Sequence, residues 1–117
     1  MVGRVVGNMI EVRQGDSFVL NIALSRDGQS VDLSGAKLKM QVRDNSGNLL
    51  LTVNGSDVDV ADGKMAIELM PEQTKIPVGN YKTDIQLTGA DGSVNTIFPA
   101  NVGQTGIFRI TEQVTEE

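Results

Sequence analysis

The sequence predicts an all-β domain, an antiparallel sandwich of seven to nine strands. Three observations predict it. Apolar residues recur with a period of two in four separate runs, glycine-centred turns separate the runs, and no stretch holds a helical period long enough for a crossover helix. The 117 residues fit one domain with one core. A strand apolar on one side only must bury that side against a second sheet, hence two layers.

Taken in order, Met9 to Arg13 opens the domain. From Ser17 to Ser25, Phe18, Leu20, Ile22 and Leu24 alternate with Val19, Asn21 and Ala23. In Lys37 to Asp44, Leu38, Met40 and Val42 point one way and Lys39, Gln41 and Arg43 the other. Weaker runs follow at Leu49 to Val53 and Asp57 to Val60, where Val58 and Val60 read as inward positions. Lys64 to Met70 sets Met65, Ile67 and Leu69 against Ala66 and Glu68. Asn80 to Thr88 sets Tyr81, Thr83, Ile85 and Leu87 against Lys82, Asp84 and Gln86. Ser93 to Phe98 and Gly106 to Val114 complete the set. Turns at Gln14-Gly15-Asp16, Asp27-Gly28, Ser46-Gly47-Asn48, Asn54-Gly55, Asp62-Gly63 and Gly89 to Gly92 supply the positive-φ and Asx chemistry of hairpins. Pro71 suits the first position of a short helical turn. Tyr81, the only tyrosine, sits where immunoglobulin-like sandwiches place a ring over a corner and bond it to upstream backbone, so the sandwich reads as immunoglobulin-like.

Composition narrows function. Three Phe, one Tyr and no Trp leave an aliphatic core and few rings on which sugars or bases could stack. Ten bases face fifteen acids, a net charge of -5, and the bases are scattered along the sequence, with no denser run than Lys37 and Lys39. Nucleic acid and anionic membrane are therefore not expected as partners. The opening residues lack an apolar signal region, and no apolar run approaches the length of a membrane span, so a chain made in the cytoplasm is expected.

Without histidine or cysteine, Ser-His-Asp and Cys-His catalysis and structural zinc are excluded. No Ser-x-x-Lys occurs. Asp57, Asp59 and Glu68 stand at positions 1, 3 and 12 of a calcium loop, but Ala61 occupies position 5, and Asp62 stands where the loop needs glycine. Asp57 to Gly63 therefore reads as a solvated hairpin. Glu11, Asp16, Asp27 and Asp32 cluster in sequence without a cleft to perturb them. No catalytic, cofactor-binding or metal residue is assigned, and no enzyme is expected.

The order of motifs carries a resemblance. Gln14-Gly-Asp-Ser-Phe is followed by Val31-Asp-Leu-Ser-Gly35-Ala, Gln41-Val-Arg-Asp, Asp62-Gly-Lys-Met, Thr74-x-x-Pro77-x-Gly-x-Tyr81-x-x-Asp84-Ile-Gln-Leu and Asp91-Gly-Ser-Val. Over residues 9 to 102 this resembles the immunoglobulin-like domain of tailed-phage and prophage structural proteins, similar to the N-terminal domain of baseplate upper proteins. The resemblance implies a virion component of the tail, baseplate or head-tail region. It implies docking to other virion proteins or to further copies of itself, with no cofactor and no small-molecule substrate. Baseplate upper proteins usually continue into a further region, whereas this sequence ends at Glu116-Glu117, which leaves the station in the virion open.

The resemblance divides the chain into an N-terminal arm (1–8), the sandwich (9–102) and a C-terminal segment (103–117) holding the last strand and an acidic tail. In that segment Ile107, Phe108 and Ile110 either complete the sandwich or form an oligomer contact, and Gly103 and Gly106 are expected to lend flexibility. A bacterial immunoglobulin-like adhesion or carbohydrate-binding module is the alternative. It would bring a secretion signal, exposed aromatics or a calcium site, and none is found. A chaperone or regulator on the same fold is a third reading.

Overall fold

A computed structural model of the chain describes residues 3–99 and 103–112. Twelve strands occur among these residues: β1 (Gly3–Val6), β2 (Met9–Arg13), β3 (Phe18–Ala23), β4 (Ser25–Arg26), β5 (Gln29–Ser30), β6 (Lys37–Arg43), β7 (Leu49–Asn54), β8 (Ser56–Asp59), β9 (Lys64–Leu69), β10 (Gly79–Thr88), β11 (Val94–Phe98) and β12 (Gly106–Thr111). The nine runs expected from periodicity all appear. The three additions are short: β1, and the β4–β5 pair flanking the Asp27-Gly28 turn. Pro71 opens a 3-10 turn at Pro71–Gln73, and a second 3-10 turn spans Val60–Asp62.

The large sheet runs β1-β2-β12-β10-β6-β7, with β11 also paired to β10, and the small sheet runs β3-β9-β8. One apolar cluster joins them. Ile10, Val12, Leu38, Met40, Val42, Ile85, Phe108 and Ile110 from the large sheet meet Phe18, Met65, Ile67 and Leu69 from the small one. Burying both apolar faces in one aliphatic core is what the period-two pattern requires. In β6 the alternation is clean, with Leu38, Met40 and Val42 buried between exposed Lys37, Lys39 and Arg43.

Three details depart from the sequence expectations. First, β2 and β12 pair in parallel, with Phe108 opposite Ile10 and Ile110 opposite Val12, in an otherwise antiparallel structure. No hairpin joins strands so far apart in sequence, so nothing forces them antiparallel. Second, Val58 does not point inward but is 61% exposed, because β8 is an edge strand whose register shifts between Asp57 and Asp59. Third, Gly106 is not a flexible linker residue. It is buried in β12, where an added Cβ would run into the carbonyl oxygen of Thr83 and lie 3.0 Å from the Phe98 ring. Here glycine permits a close approach of two backbones.

Described residues near each end of the sequence enter the large sheet. Residues 3–6 of the expected arm form its edge strand β1, and β12, from the C-terminal segment, lies near its middle with Phe108 and Ile110 fully buried. Residues 113 and 114, the end of the expected last strand, lie outside the described residues, as do 100–102.

Candidate functional site

The ordered motifs resolve into folding contacts. Gln14 donates from Nε2 to the Ile76 carbonyl at 2.9 Å, and the Gly15 N–H donates to the Thr74 carbonyl at 3.3 Å. The fully buried Thr74 donates from Oγ1 to the Asp16 carbonyl at 2.8 Å. The Gln-Gly-Asp turn and the Thr74–Tyr81 corner, 58 residues apart at Thr74 and Asp16, are thus stitched together. Tyr81 donates its hydroxyl to the Pro77 carbonyl, the corner bond expected from its position. In the Val31 to Gly35 segment, Leu33 plugs the core and its N–H donates to the Val60 carbonyl at 2.7 Å. Asp32 accepts from the Ser34 N–H and hydroxyl, and Gly35 takes φ of 77°. Buried polar backbone without partners is costly, and these residues supply the partners.

The carboxylates weighed as chemistry separate. Glu11 lies on β2, Asp16 in the turn after it, Asp27 in the β4–β5 turn at φ of 52°, and Asp32 in its own Asx turn. Asp57 and Asp59 are exposed on β8, and Glu68 is exposed on β9 opposite Val19. Among the described residues no group of three or more such side chains is placed to hold a metal ion. The shifted acids are surface turn residues. Asp32, Asp44 and Asp91 are held below the ordinary carboxylate range, chiefly by side-chain hydrogen bonds from Ser34, Asn48 and Ser93. Asp62 is lowered by Ser30 and then by Lys64.

What the strands do gather is positive charge. On the outer face of the large sheet, the register sets Arg4 beside Glu11 and Glu11 beside Arg109. Arg13 lies beside Thr111, Lys82 beside Arg43, and Lys39 and Lys37 beside Gln86 and Thr88. Among the described residues, seven of the ten bases of an acidic chain therefore share one face with two acids, Glu11 and Asp84. All seven bases are exposed, whereas both acids are recessed. Glu11 bonds Arg4 Nε at 2.9 Å and lies 3.7 Å from Arg109 Nε. Polar Asn80, Gln41 and Thr52 fill the field between them.

Along the chain these bases are scattered. The alternation did put Lys39, Arg43 and Lys82 on outward positions. That β6, β10, β12, β2 and β1 lie side by side is a matter of strand order, which periodicity does not carry. No helix among the described residues is long and apolar enough to cross a membrane.

A family model described as the BppU N-terminal domain matches residues 2–101. Among solved structures, CopC from Methylosinus trichosporium OB3b is similar at 12% identity. The match covers 92% of this chain and 87% of that one, with a TM-score of 0.50, a likeness of fold alone. No curated protein matches the sequence.

Proposed function

Because this chain belongs to the family of BppU N-terminal domains, the N-terminal domains of phage baseplate upper proteins, we propose that it is a non-catalytic structural component of a phage or prophage virion, docking other virion proteins. Most of the motif residues are engaged in turns, corners and core, and recognition falls to the exposed faces, where Arg43 of the Gln41-Val-Arg-Asp motif also stands. The observation that carries the reading is the outer face of the large sheet, where Arg4, Arg13, Lys37, Lys39, Arg43, Lys82 and Arg109 stand exposed together. A pleated sheet holds these side chains at fixed spacing, which suits a protein surface of opposite charge and fixes docking register.

The test is peptide mass spectrometry on density-purified particles from an induced culture. Wild-type chain is expected in particles at stoichiometric copy number. The triple variant K37E/K39E/R43E, verified as folded by circular dichroism, is expected in the soluble lysate alone. Wild-type peptides confined to the lysate would overturn the virion role, and a triple variant that enters particles as wild type does would overturn the docking face.

A further inference from the structure

The two outer sides of the sandwich carry opposite charge. On the large-sheet side, among the described residues, seven bases meet two acids, an excess of five positive charges. On the small-sheet side, the outward row of β8 and β9 and the 3-10 turn between them expose Asp59, Asp62 and Glu68 against a single base, Lys64, an excess of two negative charges, while Asp57, opposite the core residue Met65, lies on the other row at the sheet edge. Lys64 is already engaged by Asp62 at 3.4 Å. Both sides also present isolated aliphatic side chains: Val19 and Val58 among the acids, Val6 and Val94 on the basic side.

We propose that the basic outer face of the large sheet of one copy docks on the acidic small-sheet side of a second copy, head to tail. This rests on the reading of that basic face as the docking surface and names its occupant. The charge that would complement the face is present on the same chain, at the far side of the same sandwich. A net charge of -5 does not oppose the contact, because at physiological ionic strength screening acts over about 8 Å, so docked surfaces respond to each other and not to the whole molecule. The contact is heterologous. Each docked copy leaves one basic and one acidic side uncovered, so the same contact repeats until it closes or runs on.

Sedimentation velocity of the full chain tests this. At about 100 mM salt, where screening acts over about 10 Å, the sedimentation coefficient is expected to rise with protein concentration, and at about 500 mM salt association is expected to weaken about tenfold or more. K37E/K39E/R43E alone and D59K/D62K/E68K alone are each expected to stay monomeric at low salt. Mixing the two variants is expected to restore association, which a mere loss of fold would not allow. A wild type that stays monomeric at low salt and high micromolar concentration overturns the proposal, as does association that the charge reversals leave unchanged. A monomeric wild type that binds a single-stranded oligonucleotide also overturns it and assigns the basic face to a polyanion. The particle experiment separates the two readings. Incorporation by a chain that never self-associates sinks only the self-docking, and self-association by a chain absent from particles sinks only the virion role.

Discussion

Tyr81 joins a sequence signal to a measurable energy. Its ring packs against the core, and its hydroxyl donates to the Pro77 carbonyl four residues upstream. Tyr81→Phe removes that bond and keeps the ring, so unfolding in urea should show a loss of about 1 kcal/mol with the fold intact. Burial, and after it the charge of Asp44, raises the pKa of the Tyr81 hydroxyl above 10.0. The neutral form is thus favoured in the folded state. Its contribution is fully present below the unfolded value and is lost as pH rises through the folded one. The urea midpoint of the wild type should fall above about pH 10 more steeply than that of Tyr81→Phe. Asp44 behaves oppositely. Asn48, by side chain and then backbone, lowers its pKa from 3.8, with Ser46 and Gly47 adding to the effect. That contribution is present above 3.8 and is lost as pH falls through the depressed folded value. Between pH 5 and 2, as an order-of-magnitude window for carboxylates, Asp44→Ala should show a shallower acid loss than the wild type. Equal slopes would assign the acid sensitivity to other carboxylates.

Among the elements, β12 shows best what the sequence could and could not say. Its run Ile107, Phe108, Ile110 fitted either a core strand or an oligomer contact, because period-two alternation marks a one-sided strand without saying what covers the side. The structure gives Phe108 and Ile110 to the core and sets Ile107 on the outer face opposite Met9. Phe108→Ala should therefore destabilise the isolated chain by about 3–5 kcal/mol, read as a lower urea midpoint. Arg109→Ala on the opposite side of the same strand should leave that midpoint nearly unchanged. A strand serving only as an oligomer contact would give the reverse order, with Phe108→Ala neutral in the monomer. Strands β3, β6, β9 and β10 were legible because each is long enough to repeat its alternation and is bounded by Asx or glycine turns. β1 and the β4–β5 pair were not: four residues and two residues hold too little periodicity to register. Gly106 looked like a flexible joint because glycine serves both flexibility and close approach, and only the position of Thr83 decides between them.

At the scale of the whole molecule, the gathered charge is an expense the fold does not require. Lys82 and Arg43 are direct cross-strand neighbours on β10 and β6, both exposed and both positive. Like charges opposite each other in a sheet destabilise it by some tenths of a kcal/mol. Lys39, two residues from Gln41 on the same outward row, adds to the same field. A sheet shaped by stability alone would alternate signs there, and the eleven other acids among the described residues would supply the partners. If the face is kept for docking, removing its repulsion should help the monomer and harm assembly. Lys82→Glu places a carboxylate beside Arg43 and should raise monomer stability by about 0.5 kcal/mol in urea unfolding. The same substitution should lower the share of the chain recovered in purified particles. Opposed signs in the two measurements are the signature of a surface whose composition answers to a partner. Were Lys82→Glu to destabilise the monomer and lower incorporation in proportion, the basic face would be a packing feature of the sheet, and the docking surface would have to be sought at the apolar edges β1 and β7, where Val5, Val6, Leu49 and Leu50 stand exposed.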